Sequence, residues 1–203
     1  MKRNNPAGTP PGGFTLVEII VVVLIIITLA GVLTPVVVTQ VDKARKARAL
    51  KDCGAIAAAL GALYGDLGAF PSMDRTGKFH RIRVLLSGDR LPGAGVIQAS
   101  ADFTQGPRDL LMNHITRNNP DGKSGGYPGK GLLAWRGPYL DASSLDPWGR
   151  PYAVNIGATF ASGKNNRCCW VLSSGPDGKI ETGTTAGSLK TRGDDIGILV
   201  HKR

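Results

Sequence analysis

Three carboxylates lie close to a glycine-rich turn near the C-terminal end of this 203-residue chain. Asp177 belongs to the segment SSGPDGK, residues 173–179, and Asp194 and Asp195 close the segment that follows it. Carboxylate oxygens are hard ligands, and Ca²⁺ takes about six to eight such oxygens in proteins. The spacing and terminal Glu of an EF-hand are absent. The pattern therefore predicts either a calcium site of another kind or Asx-turns that need no metal.

Glu18 is a second chemically unusual residue, because it lies near the start of a long apolar run. The chain contains only two Glu residues, Glu18 and Glu181. A carboxylate within a membrane helix is costly unless it is paired or reaches the interface. We therefore interpret Glu18 as a residue that pairs with a cation brought by a partner, with a plain interfacial position as the alternative.

Residues 14–38 form this apolar run, which besides Glu18 is interrupted only by Thr and Gly residues and Pro35. About 20 apolar residues are enough for a helix to cross a bilayer, so the run predicts a membrane anchor. Few soluble core helices are apolar on every side for this length. A secretory signal has a shorter apolar region followed by a small-residue cleavage site, and the run fits neither feature.

Residues 13–18, with the sequence GFTLVE, resemble the cleavage and methylation motif of the type IV pilin and pseudopilin family. The resemblance implies that residues 1–13 are a leader peptide. It implies that a prepilin peptidase cuts between Gly13 and Phe14, and that the new amine of Phe14 is methylated. Glu18 then occupies the position at which the family carries a Glu.

The resemblance also implies a role for Glu18 in subunit assembly. In a filament, the amine of one subunit would neutralise Glu18 of its neighbour inside an apolar bundle. A buried charge pair fixes register more reliably than it adds stability. Glu18 would therefore set the axial stagger of the subunits.

The same helix is predicted to continue from Phe14 to about Leu67, with residues 14–38 as a transmembrane half and residues 39–67 as an amphipathic half. In the second half, apolar residues recur every three or four positions. A domain of this size does not bury so long a helix. Half of it is therefore expected in a bilayer or a filament core.

The chain has three cysteines. Cys53 lies on the apolar face of the predicted helix, where packing is its expected role. A disulfide with Cys168 or Cys169 is the alternative if the head is exported. The sequence has no CxxC pair, so neither redox nor zinc chemistry is predicted.

The formal charge of +10, from 25 Lys and Arg against 15 Asp and Glu, would permit nucleic-acid binding. The basic residues lack interleaved aromatic residues, however, so we expect no nucleic-acid partner. The predicted leader contributes Lys2 and Arg3. A cluster of basic residues directly follows the apolar run: Lys43, Arg45, Lys46, Arg48 and Lys51. The positive-inside rule would place this cluster in the cytoplasm, whereas the family motif places the leader there. We follow the motif.

Residues 132–203 carry a second resemblance. The segments WRGPYL, residues 135–140, and DPWGRPY, residues 146–152, are similar to signatures of the major pseudopilin of type II secretion. Strands are predicted at residues 152–156, 168–173 and 196–200. Together these features predict an α+β pilin fold, in which the second half of the long helix packs on a small antiparallel sheet that forms the head.

Residues 68–131 are rich in Gly and Pro and are not covered by the resemblance. They are predicted to form an insertion or variable region of the head. Two short helices are expected within it, at residues 82–86 and 107–115. His80 and His114 have no partner at metal-ligand spacing, so we interpret them as surface or packing residues.

The last loop of the major pseudopilin binds calcium, and the resemblance implies the same here. The implied ligands are the carboxylates of Asp177, Asp194 and Asp195. Backbone carbonyls of Ser174 and Ile196 would complete the ligand set.

No nucleophile triad, Walker motif or dinucleotide-binding glycine pattern is present, so the sequence predicts no enzymatic activity. The resemblance implies a structural subunit of a type II secretion pseudopilus, a single-pass protein of the bacterial inner membrane with its head in the periplasm. The implied partners are copies of itself, minor pseudopilins, the prepilin peptidase, the inner-membrane assembly platform and membrane lipid. The alternatives are a type IV pilin for adhesion, motility or DNA uptake and, less favoured, a membrane-anchored enzyme.

Overall fold

The computed structural model divides into two compact units, the first ending at Lys43 and the second beginning at Ala44. The predicted leader, apart from Gly13, and His80 lie outside the described residues. The described residues are 13–74, 77–79, 81–91, 93, 98–99, 101–104, 106–122, 125–142, 144–160, 168–185 and 189–202.

The first unit contains the N-terminal part of helix α1, whose bounds are Leu16–Leu67. Every described residue of this unit, from Gly13 to Lys43, is exposed. The exposed side chains are almost all apolar, and α1 is long and apolar enough to cross a membrane. This confirms the long N-terminal apolar helix that the sequence predicts.

The C-terminal part of α1 lies in the core of the second unit. Ile56, Leu60 and Leu63 recur at intervals of three or four residues, which places them on one face of the helix. All three are buried in a cluster that includes Leu85 and Val171 from the sheet. Each such side chain contributes about 1.5–3 kcal/mol when it leaves water, so this face holds the helix on the sheet.

The second unit contains seven strands and two short α-helices among the described residues: β1 Val84–Leu86, β2 Gln98–Ala99, α2 Ala101–Thr104, β3 Arg108–Leu110, α3 Leu111–Ile115, β4 Ala153–Val154, β5 Cys168–Ser173, β6 Lys179–Ile180 and β7 Ile196–Lys202. The main sheet has five strands in the order β3-β1-β4-β5-β7, and β2 and β6 form a separate two-stranded sheet. The helices α2 and α3 flank β3 along the chain.

Two of the three predicted strands are confirmed as β5 and β7, which pair antiparallel. The strand predicted at residues 152–156 is shorter. Only Ala153–Val154 forms β4, and a 3-10 helix covers Ile156–Thr159.

The sheet is mixed, which corrects the prediction of a purely antiparallel sheet. β1 pairs antiparallel with β4 but parallel with β3. A parallel pair needs a crossover connection of about a dozen residues or more, and residues 87–107 provide one.

The main sheet is covered on both faces. Along β5, Val171 points toward α1, whereas Trp170 and Leu172 point into a second buried cluster. This alternation follows from the two-residue period of a strand. The second cluster also contains Phe103 from α2 and Ile180 from β6, so both faces of β5 are buried.

Residues 68–131, predicted as an insertion, supply β1 and β3 to the main sheet. The helix predicted at residues 82–86 is wrong, because residues 84–86 form the fully buried strand β1. The helix predicted at residues 107–115 begins as β3 and becomes helical only from Leu111. Pairing with distant strands overrides local helix preference at both places.

Candidate ion-binding loop and assembly residues

The predicted calcium ligands other than Ile196, which is the first residue of β7, lie in the connection from β5 to β7. We call this connection, residues 174–195, the acidic loop. Its first turn is closed by hydrogen bonds from the Gly178 amide to the Ser174 carbonyl oxygen at 3.2 Å and from the Lys179 amide to Oδ1 of Asp177 at 2.7 Å. Gly175 has a φ of 61°. A Cβ there would collide with the carbonyl oxygen of Asp194, so the turn requires glycine.

The carboxylate of Asp194 contacts the backbone of Asp177 across the acidic loop. Oδ2 of Asp194 accepts a hydrogen bond of 3.0 Å from the backbone amide of Asp177. The beginning and the end of the loop are therefore held together by a charge-assisted hydrogen bond.

Asp195 is the most constrained carboxylate of the three. Its Oδ2 accepts hydrogen bonds from the Glu181 amide at 2.9 Å and from the amide and hydroxyl of Thr182, both at 2.6 Å. Its Oδ1 is buried and has no hydrogen-bond partner among the described residues. Burial raises the pKa of Asp195, although the hydrogen bonds from Thr182 and Glu181 oppose that rise.

An unpartnered, buried carboxylate oxygen is costly in the ionised state, and a bound cation would satisfy it. The hard oxygens of the loop suit calcium, so the residues present fit that ion. Within the described ranges, no three Cys, His, Asp or Glu side chains converge closely enough to hold a metal. For all three predicted carboxylates to bind one calcium ion they would therefore have to move closer together, and backbone carbonyl oxygens would have to complete the ligand set.

The two predicted backbone ligands have different surroundings. The Ser174 carbonyl oxygen lies in the first turn of the acidic loop. The Ile196 carbonyl oxygen accepts a hydrogen bond of 3.6 Å from the Cys53 thiol, at the core side of β7.

Arg150 is a loop residue that the sequence analysis did not single out. Its guanidinium donates a hydrogen bond of 2.6 Å to the carbonyl oxygen of Gly175. The carbonyl oxygen of Pro176 lies 3.3 Å from Nη1 and 3.4 Å from Nη2 of Arg150. Arg150 belongs to the DPWGRPY segment, which resembles a family signature. That resemblance marked the segment but did not indicate that Arg150 contacts the acidic loop.

The prepilin-like residues lie at the start of α1. Gly13 and Phe14 precede the helix and are exposed, Phe14 to 79%. The amide of Glu18 donates to the carbonyl oxygen of Thr15 at 3.1 Å and lies 3.3 Å from its hydroxyl. The spacing T-x-x-E is that of a capping box, a signal the sequence analysis missed. Thr15 thus caps the helix, and Glu18 lies in its first turn.

A buried polar cluster in the second unit involves His114. Its Nδ1 lies 2.6 Å from the hydroxyl of Tyr127, and its Nε2 lies 2.9 Å from Oδ2 of Asp109. All three side chains are buried. This confirms His114 as a packing residue, held by a hydrogen bond to Tyr127 and by an ion-pair contact with Asp109 as well as by apolar contacts.

The three cysteines are buried and free. Cys53 packs in the core cluster that contains α1, as expected from its position on the apolar face. The alternative disulfides with Cys168 or Cys169 are therefore not formed.

Comparison with known proteins supports the motif-based interpretation. The chain is 31% identical over 140 residues to the type II secretion system core protein G of Pseudomonas aeruginosa, and the alignment covers 69% of this chain and 70% of the relative. The chain belongs to the family of this major pseudopilin. This pseudopilin matches no family model and no solved structure. The similarity to core protein G supports a pseudopilin-like structural role.

Proposed function

We propose that this pseudopilin is cleaved between Gly13 and Phe14, methylated at Phe14, and anchored in the inner membrane by the first part of α1. It then assembles with copies of itself and with minor pseudopilins into a periplasmic filament that promotes protein export. The relative is a secretion-system protein, which favours this function over that of a pilus for adhesion, motility or DNA uptake.

The observation that carries the processing step is the position of the cleavage site. Gly13 and Phe14 are exposed and non-helical, and they directly precede a helix that begins with its own cap at Thr15. Gly13 and Phe14 lie outside the helix, so a peptidase could reach the bond between them without unwinding α1.

Processing is tested by intact-mass and N-terminal analysis of the full chain from cells with and without the prepilin peptidase. The expected product begins at methylated Phe14 only when the peptidase is present. A chain that still begins at Met1 in peptidase-containing cells would rule out this step.

Assembly is tested with Glu18→Gln, because Gln can still complete a capping box but carries no charge. We expect at least about a tenfold loss of sheared filaments with normal membrane levels of the subunit, consistent with an unpaired terminal amine in an apolar bundle. Asp141→Asn is the matched control, because it removes one negative charge at an exposed position of the head outside the acidic loop. Equal filament yields for the two variants would contradict a role for Glu18.

We further propose that the acidic loop binds a structural calcium ion through Asp177, Asp194 and Asp195, with the Ser174 and Ile196 carbonyl oxygens as the backbone ligands. The unpartnered Oδ1 of Asp195 supports this proposal.

Calcium binding is tested by thermal unfolding of the full chain in detergent, with calcium or with a chelator. At 100 times the dissociation constant, calcium would add about 2.7 kcal/mol of stability. Asp195→Asn should abolish the gain, whereas the exposed Asp141→Asn should retain it. No difference between calcium and chelator for the unsubstituted chain would refute the ion site.

A further inference from the structure

We infer that Arg150 is a positioning residue that holds the first turn of the acidic loop in a shape ready for the ion. This inference rests on the proposal that the loop binds calcium. Its structural basis is the contact of the Arg150 guanidinium with two consecutive carbonyl oxygens, those of Gly175 and Pro176.

Arg150 is itself held in place by a buried carboxylate. Asp146 is 4% exposed, and its Oδ1 accepts hydrogen bonds from the amides of Trp148 at 3.0 Å and Arg150 at 2.8 Å. The Asp146 amide donates back to the Arg150 carbonyl oxygen at 2.7 Å. The backbone that carries the guanidinium is therefore a closed turn, and the side chain is presented from a defined position.

The same carboxylate reaches the acidic loop directly. Oδ2 of Asp146 accepts a hydrogen bond of 2.7 Å from the Ser173 hydroxyl. That hydroxyl in turn lies 3.2 Å from the amide of Gly175. Asp146 and Arg150 thus contact the turn at both sides of Ser174, whose carbonyl is a proposed calcium ligand.

The guanidinium and the ion would use different oxygens. Arg150 contacts the carbonyl oxygens of Gly175 and Pro176, whereas the proposed backbone ligand is that of Ser174. Carbonyl dipoles turned toward one region repel each other, and a fixed cation offsets that repulsion. The guanidinium fork suits two neighbouring acceptors, which an ammonium cannot match. Arg150 would therefore assist ion binding rather than compete with it.

The direction in which calcium affinity changes when the guanidinium is removed decides whether Arg150 assists ion binding or competes with it. If Arg150 orders the turn before the ion arrives, its removal adds an ordering cost to binding, and calcium affinity falls. If the guanidinium competed with the ion, its removal would raise calcium affinity.

The test is calorimetric titration of calcium into the full chain in detergent. We expect about tenfold weaker binding for Arg150→Gln, corresponding to the loss of a charged hydrogen bond, and an intermediate affinity for Arg150→Lys. Arg117→Gln makes the same charge change at an exposed position of the head and should bind like the unsubstituted chain. Unchanged or tighter binding by Arg150→Gln would overturn the inference.

Hydrogen exchange of the amides at residues 174–179, without calcium, separates positioning from general stability. Arg150→Gln should speed exchange in this turn by about tenfold while leaving the β5 amides unchanged, and calcium should restore protection. Should the unsubstituted chain bind no calcium, the calcium proposal fails, and the exchange rates alone decide whether Arg150 holds the turn. Equal exchange rates in Arg150→Gln and the unsubstituted chain would show that Arg150 does not hold this turn, whether or not the chain binds calcium.

Discussion

The hydroxyl of Tyr152 donates a hydrogen bond of 2.9 Å to Oδ2 of Asp52. Tyr152 follows the DPWGRP sequence directly and is buried, whereas Asp52 lies on α1 and also pairs with Arg48 at 3.7 Å. Burial raises the pKa of Tyr152, and the Asp52 carboxylate raises it further. The phenol therefore stays a hydrogen-bond donor at physiological pH, and it ties the motif segment to the helix.

Removal of this hydroxyl should destabilise the protein. Tyr152→Phe keeps the ring in the core but removes a donor to a charged acceptor, which costs about 1.5–3 kcal/mol. We expect the lower value, because Asp52 is 29% exposed and water can take the place of the hydroxyl. Chemical unfolding measures the loss, with Tyr64→Phe at a half-exposed ring as the control. Equal denaturant midpoints of unfolding for the two variants would argue that the Tyr152–Asp52 hydrogen bond does not stabilise the protein.

Asp109 should carry an acid-sensitive part of the stability of the head. It accepts hydrogen bonds from the Leu110 amide and the Asn113 side chain, each at 2.7 Å, and from the Asp121 amide at 2.6 Å. Burial by itself would raise the pKa of Asp109. The hydrogen bond and charge of His114, with those backbone amides, outweigh burial and lower the pKa.

A lowered folded-state pKa means that the ionised carboxylate of Asp109 stabilises the fold above its unfolded value, near 3.8. That stability is lost as the pH falls through the folded-state pKa. Asp109→Asn should cost about 3 kcal/mol at neutral pH and flatten the acid limb of the stability profile. Urea unfolding at several pH values measures both effects. An unchanged slope in the acid limb would contradict the assignment.

The pKa of Asp195 is shifted in the opposite direction, so its contribution to stability should depend on pH in the opposite way. Its folded-state pKa is raised, by burial first and then by the nearby charge of Asp194, so the folded protein binds this proton more tightly than the unfolded chain does. The stabilisation is complete below the unfolded value near 3.8 and is lost as the pH rises through the folded-state pKa.

A calcium ion at Asp195 would compete with that proton. The calcium-induced gain in melting temperature should therefore be largest at neutral pH and shrink as the pH falls through the raised pKa. Asp195→Asn should show neither the gain nor its pH dependence. A calcium gain that stays constant with pH would argue that the ion binds elsewhere.

The three thiols should be unreactive in the folded protein. Burial raises the pKa of Cys53 to about 12, and it raises the pKa of Cys168 and Cys169 as well. Alkylating agents react with the thiolate, so native protein at pH near 8 should take up almost no iodoacetamide. Mass spectrometry after labelling should find all three cysteines modified only in denaturant. Labelling of any of them under native conditions would contradict their burial.

The start of α1 shows how much local sequence reveals. The apolar run and the motif at residues 13–18 are contiguous, and the helix begins and ends within a few residues of the predicted bounds. The sequence also predicts the strands at residues 168–173 and 196–200, because β-branched and aromatic residues bounded by turn residues are local signals.

The sequence does not predict the strands β1 and β3. All three residues of β1 are apolar, whereas two of the three residues of β3, Arg108 and Asp109, are charged. A three-residue strand is shorter than the window in which periodicity is informative. Leu85 becomes a strand residue because it pairs with Val154, which lies far along the chain. Only the tertiary structure decides such a pairing.

In the acidic loop, too, some features follow from the sequence alone and others only from the tertiary structure. The sequence by itself determined that Asp177, Asp194 and Asp195 are hard ligands beside a glycine turn, because residue chemistry and turn preference are local. The tertiary structure decided that Asp194 bonds the Asp177 amide, and that Arg150 lies over Gly175. Contacts between segments so far apart depend on how the strands and the helix pack, and no local pattern encodes the resulting distances.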